Sequence, residues 1–230
     1  MVVSNPATSS TTGWPVGFWA AELTHAYKLF KENGYEVTIA SPKGGKVGVD
    51  AWSDPRDSNE YSKDDTISLQ YLNDKNFMNI LENTKKVGDL SANDFDAIVV
   101  VGGQGPMFTF KEETELHNTF LEFYNKGKVS AALCHGTSLL LYLKDGDGKP
   151  IIQGKKITGF TDEEEDFADK AVGKKVMPFR IEDEAKKLGA EFQKAKAFTP
   201  FAIKDGNLIT GQQQHSGAEV AKMVIDSLGK

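Results

Sequence analysis

Val129-Ser-Ala-Ala-Leu-Cys-His-Gly136, continued by Thr137-Ser-Leu-Leu-Leu-Tyr142, decides how the chain is read. The first five residues form an apolar run of strand length, and the residues after Gly136 begin a helical pattern. An apolar strand feeding a helix through a sharp turn belongs to a parallel sheet with helices on its faces. The turn lies at the carboxyl end of the strand, where open α/β sheets bind ligands, and it faces the start of the next helix. At that turn stands Cys134, the only cysteine among 230 residues.

Similar runs lie upstream. Residues 36–40 and 97–101 read as strands, the second apolar on both faces. A helix is expected over residues 22–33, ending at Gly34, and another over residues 112–126, ending at Gly127. Further on come a helix over 182–188, a hairpin over 202–210 with an Asp205-Gly206 turn, and a closing helix from Ser216. The alternation predicts one α/β domain over residues 1–230, a flavodoxin-like, doubly wound, mostly parallel sheet sandwiched by helices. Residues 41–71, rich in glycine and polar side chains, read as an elaborated loop of the length used for a lid or interface. Only Met1-Val-Val precedes a polar Ser/Thr-rich loop, so the first strand is expected to be very short or to have lost its beginning.

The composition excludes several classes. It is 39% hydrophobic and 26% charged, without an apolar run near the ~20 residues that span a bilayer, so no membrane partner is expected. No charged region followed by an apolar one opens the chain, and one cysteine allows no internal disulfide; a reducing cytoplasm fits both. The net charge of −6, with lysines scattered among acids, gives nucleic acid little to hold. His25, His117 and His215 lack partners at metal-ligand spacing, so no metal site is read.

A lone cysteine in an α/β protein is often an inert core residue, but its place at the elbow, followed by His135, favours a nucleophile. The helix start and a neighbouring imidazolium would both favour its thiolate. Val99-Val-Val-Gly-Gly-Gln-Gly-Pro106 ends another buried strand at the same edge. This turn, with Gly103, Gln104 and Gly105, reads as an oxyanion hole or substrate-binding loop, its Gly103 or neighbouring amide joining the amide of His135; a plain strand-ending turn is the bland alternative. Asp162-Glu-Glu-Glu-Asp166 reads mainly as a solvated first helical turn, yet any of its acids can orient the imidazole. Glu22, set among apolar neighbours, is either an ordinary helix-start acid or a buried acid beside the thiol, in which case it would be protonated.

Taken in order, Gly13-x-x-x-Gly-Phe-Trp-x-x-Glu-Leu-Thr-His25, Gly-Gly-x-Gly-Pro106, Ala-x-Cys-His-Gly136, Ile157-Thr-Gly-Phe-Thr-x-x-Glu-Glu165, Pro178-Phe-x-x-Glu-Asp183 and Asp205-Gly-x-Leu-Ile-Thr-Gly-Gln212 resemble the ThiJ/PfpI superfamily, and its glyoxalase III and heat-shock chaperone branch best. The resemblance spans nearly the whole chain. It implies a flavodoxin-like homodimer with Cys134 as nucleophile, His135 as its neighbour, Glu165 as orienting acid and Glu22 as a separate buried glutamate near the thiol. It implies a glutathione-independent glyoxalase acting on a small dicarbonyl without cofactor, with deglycase activity alongside. A stress chaperone or redox sensor, or a cysteine peptidase or amidase, is the alternative. Two positions depart from the branch: Gln104 stands where histidine is common, and Gln213-Gln214 where Asn-Pro is usual. A class I glutamine amidotransferase would need a glycine before the cysteine and a downstream His-x-Glu, whereas this chain has Leu133 and His215-Ser-Gly217.

Overall fold

The computed structural model of the chain describes residues 1–229. In chain order the strands are β1 (Ala7–Thr8), β2 (Pro15–Val16), β3 (Ala40–Ser41), β4 (Lys85–Lys86), β5 (Ala97–Val100), β6 (Val129–Leu133), β7 (Lys156–Ile157), β8 (Glu191–Phe192), β9 (Ala202–Asp205) and β10 (Leu208–Gly211). The α-helices are α1 (Ala20–Glu32), α2 (Thr66–Asn73), α3 (Lys75–Glu82), α4 (Gly105–Thr109), α5 (Thr114–Asn125), α6 (Asp162–Val172), α7 (Ile181–Lys187) and α8 (Gly217–Leu228). Among the described residues, no helix is long and apolar enough to cross a membrane.

The main sheet runs β5-β6-β10-β9, parallel except for the antiparallel edge strand β9. Val2 bridges in parallel to Ala40 of β3 and to Val100 of β5, which joins β3 and β4 to the same sheet. The opening strand is therefore very short and central. Its register is set by the Val2 N–H donating to the Val99 carbonyl and the Val101 N–H donating to the Val2 carbonyl, both at 2.8 Å. That brevity also shortens its neighbour: the strand expected over residues 36–40 has ladder structure only at Ala40–Ser41.

All five residues of β6 are buried, because both faces of the sheet are covered. Val129, Ala131 and Leu133 pack with Ala26 and Phe30 of α1 and with Val220 and Val224 of α8. Ala132 turns the other way, toward Leu116 and Phe120 of α5 and Leu139 and Leu140 beyond the elbow. This period-two division into two cores is the doubly wound α/β sandwich. The Asp205↔Leu208 pairing and the positive φ of Gly206 bear out the predicted hairpin. Residues 41–71 are not loop throughout: α2 begins at Thr66, where the Asp65 side chain accepts the Ser68 N–H and caps the helix.

Candidate active site

Leu133 is extended, and Cys134 then takes φ +54, a left-handed conformation rare outside glycine. The following helix is a nine-residue 3₁₀ helix, Cys134–Tyr142, rather than an α-helix beginning near residue 137. Its first turn is closed by the Thr137 Oγ1–H donating to the Cys134 carbonyl at 2.6 Å. The tighter winding starts at the cysteine itself and holds the strained residue at the sheet edge. The Cys134 sulfur lies 3.6 Å from His135 Nδ1. On its far side, His135 Nε2 lies 3.1 Å from Glu165 Oε1, both side chains being buried. The ring of Phe160 stacks on the imidazole with centroids 4.2 Å apart, so the ring plane is fixed from its face as well as its edge.

The acidic run resolves into separate tasks. Glu163 is exposed. Thr161 and Glu164 form a reciprocal capping box at the start of α6, and Glu164 also accepts the Phe198 N–H at 2.8 Å and a Gln212 amide N–H at 2.9 Å. Asp162 donates its N–H to Glu182 Oε2. Glu165 alone among these acids reaches the histidine.

Behind the sulfur, three amides of the turn after β5 have their own acceptors. The Gly102 N–H donates to Glu22 Oε2 at 2.7 Å, the Gln104 N–H to Asp50 Oδ2 at 2.5 Å and the Gly105 N–H to the Gly17 carbonyl at 2.8 Å, while the Gly103 amide faces the Cys134 sulfur and favours its charged form. Gly102 must be glycine, because a Cβ there would lie 2.9 Å from both the Cys134 Cβ and Glu22 Oε2. Gly103 has φ +97 and passes against the Phe18-Trp19 backbone. The amides of Gly103 and His135 thus both meet the sulfur. Gly105, expected in the same binding loop, faces away: its amide is used within the fold and it packs against Ser4 and Gly17.

Glu22 is fully buried, and desolvation pushes its carboxyl up to about 8, against the opposing pull of the neighbouring Cys134 thiol and the Gly102 amide. Its Oε2 accepts the Gly102 N–H, its Oε1 has no hydrogen-bond partner among the described residues, and burial favours the neutral acid. The expectation of a thiolate favoured by its surroundings needs correction, because burial pushes the Cys134 thiol up, and any charge on Glu22 pushes it further. The amides of His135 and Gly103 pull the other way. Burial and any charge on Glu22 thus hold the proton on the sulfur, against the pull of the two amides. Asp50, which sequence reasoning passed over, is likewise buried, and desolvation pushes it up to about 7. Its one sequence signal was its position after Val47-Gly-Val49, an apolar setting for an acid. Among the described residues, no group of three or more His, Cys, Asp or Glu side chains could hold a metal ion.

A cavity of ≈120 Å³ opens above the sulfur, with Cys134, His135, Gln104 and Glu165 in its floor and Trp14, Trp19, Trp52 and Tyr61 in its wall. The long loop supplies Trp52 and Tyr61. Gln214, at the second departure from the branch, lines the cavity too, while the Gln213 side chain accepts the His215 N–H at 2.5 Å and shapes the loop.

A parallel α/β sandwich with a cysteine elbow backed by a glutamate defines a class, and the family profile described as DJ-1/PfpI matches residues 16–227. The chain belongs to the DJ-1/PfpI family. It is 31% identical to glyoxalase 3 of Candida albicans over 93% of this chain and 90% of that protein. It is 32% identical to a glutathione-independent glyoxalase of Saccharomyces cerevisiae over 94% of this chain and 91% of that protein. Among solved structures, the rapid encystment protein of Francisella tularensis superposes with a TM-score of 0.89 at 30% identity, covering 100% of this chain and 98% of that one. The crystal structure of glyoxalase III from Candida albicans gives a TM-score of 0.79 at 30% identity, covering 98% and 95%.

Proposed function

We propose that the protein is a glutathione-independent glyoxalase, converting methylglyoxal and water to lactate, with Cys134 as nucleophile. The observation that carries the reading is the placement of the sulfur beside His135, itself bonded to Glu165, at a turn backed by the buried carboxyl of Glu22. The names of the Candida and Saccharomyces relatives support the same chemistry.

His135 Nδ1 takes the thiol proton, and the sulfur adds to the aldehyde carbon, forming a C–S bond. The oxygen that gains charge sits on the carbon now bonded to the sulfur, on the side of the Gly103 and His135 amides, and is then protonated by the His135 imidazolium to a hemithioacetal. His135, recharged as a base and held by Glu165, removes the proton from C1; the resulting enediol is protonated at C2 as the C1 hydroxyl loses its proton. C1 is oxidised to a thioester while C2 is reduced to an alcohol, so no external redox partner enters. Glu22 supplies a proton near the sulfur as water cleaves the thioester, releasing the hydroxy acid and the thiol. The lone thiol suits a cytoplasmic setting, and the family resemblance supports a homodimer.

The test is lactate formation from methylglyoxal without added thiol, in wild type, Cys134→Ala and Glu22→Gln. Wild type should turn over, Cys134→Ala should fall to background, and Glu22→Gln should lose about 100-fold or more, the scale of one acid–base group. Equal background lactate in all three overturns the reading.

A further inference from the structure

The cavity is built for more than a methyl group. Its wall is a chain of aromatic contacts: Trp14 stacks on Trp52 with centroids 6.4 Å apart, Trp52 meets Tyr61 edge-on at 5.3 Å, and Trp19 meets Tyr61 at 6.1 Å. Across the opening, Phe167 and Phe198 form another edge-on pair at 5.1 Å. Tyr61 is 50% exposed and Phe167 57%, and these are the exposed large hydrophobic side chains among the described residues. Both line this one cavity, so the exposed apolar surface gathers at its mouth.

The backbone tells the same story. Three described residues other than glycine have positive φ: Cys134, Phe198 (+58) and Glu60 (+56). Phe198 lines the cavity, and Glu60 immediately precedes Tyr61. Such strain persists only where the surroundings enforce it. Here the Phe198 N–H is held by Glu164 Oε1 at 2.8 Å. In the floor, Gln104 is 9% exposed, and its buried Oε1 has no hydrogen-bond partner among the described residues. A buried acceptor without a partner costs free energy that a ligand can recover.

Resting on the glyoxalase reading, we propose that the site selects 2-oxoaldehydes bearing a flat apolar substituent, an aryl group above all, over methylglyoxal. The aldehyde carbon meets Cys134, the substituent stacks among Trp52, Tyr61, Phe167 and Phe198, and the C2 oxygen meets the Gln104 carboxamide. A carboxamide both donates and accepts, which suits an oxygen that changes from carbonyl to enediol hydroxyl during the reaction. A methyl group reaches little of this wall, whereas a phenyl ring fills it and adds aromatic contacts.

The experiment compares kcat/KM for phenylglyoxal and methylglyoxal. Phenylglyoxal should be favoured by about tenfold or more, mainly through KM. Tyr61→Ala and Phe167→Ala, which remove exposed side chains, should each cut the phenylglyoxal-to-methylglyoxal ratio by roughly fivefold. Gln104→Leu should depress both substrates alike and leave the ratio standing, because both carry the C2 oxygen. A ratio near or below one, or one insensitive to Tyr61→Ala and Phe167→Ala, overturns the inference. Binding to Cys134→Ala separates it from the glyoxalase reading: by tryptophan fluorescence, 2-hydroxyacetophenone should bind about tenfold more tightly than hydroxyacetone. Equal binding overturns the aryl selection even if methylglyoxal is turned over. Preferential binding supports it, and the absence of turnover by wild type would then overturn the glyoxalase reading alone.

Discussion

A buried carboxyl that accepts two backbone N–H groups can lose neither bond cheaply. Asp50 is in that position: Oδ1 takes the Gly17 N–H at 2.8 Å and Oδ2 takes the Gln104 N–H at 2.5 Å. It ties the segment leading into α1, which carries Glu22, to the turn whose Gly103 amide meets the sulfur. Asp50 thus ties these two segments together from outside the cavity lining. Asp50→Asn keeps the size but replaces one acceptor with a donor, so one of the two amides faces an N–H instead of an oxygen. Stability should fall by about 1–3 kcal/mol, read from denaturant midpoints. The turn should shift as well, so kcat should drop by about tenfold or more in protein that remains folded by circular dichroism. A kcat within about twofold of wild type would show that the turn holds without the carboxylate.

Helix α6 brings one residue of its first turn to the imidazole, and the capping box decides where that turn starts. Removing the Thr161 hydroxyl should cost about 1 kcal/mol, seen as a Tm lowered by roughly 2–4 °C for a chain of this size. Because Glu165 rides on the same turn, Thr161→Ala should also lower kcat more than it raises KM, and Thr161→Ser should restore both. A Tm loss without any change in kcat would separate the cap from the chemistry. The elements most legible in the sequence were those whose burial is decided locally. The apolar runs of β5 and β6 are buried on both faces, and the Asp205-Gly206 turn declares its hairpin. Cys134 and His135 were legible for the same reason, being neighbours in the chain at one elbow. Choosing among the acids of α6 needed contacts 30 residues apart, and the resemblance supplied the choice. The very short opening strand was expected, but its partners in the sheet, the Asp50 anchor and the aromatic wall were hidden, because each is defined by residues far along the chain. Val2 needs Val99 and Ala40, Asp50 needs Gly17 and Gln104, and Trp14 needs Trp52.

Burying acids in the middle of the molecule makes its stability depend on pH in a definite direction. Glu22 in the folded protein binds its proton up to about pH 8, whereas in the unfolded chain it releases it near the ordinary 4.5. Between those values the folded state holds more protons than the unfolded one, so stability falls as pH rises through that window and levels off above it. Asp50, held up to about 7 against an ordinary 3.8, acts in the same sense over a slightly lower window. Glu22→Gln removes the first of these dependences while keeping the shape of a neutral acid. Below about pH 5 the variant and wild type should melt within a degree or two of each other. From pH 5 to 8 the variant should gain on wild type progressively, by an amount on the order of a few kcal/mol at the plateau. Differential scanning calorimetry across pH 4.5 to about 9 reads this directly, each kcal/mol moving the Tm by roughly 2–4 °C. Parallel curves for the two proteins would mean that Glu22 ionises in the fold as easily as in water. The neutral donor that the proposed thioester hydrolysis calls for would then be absent.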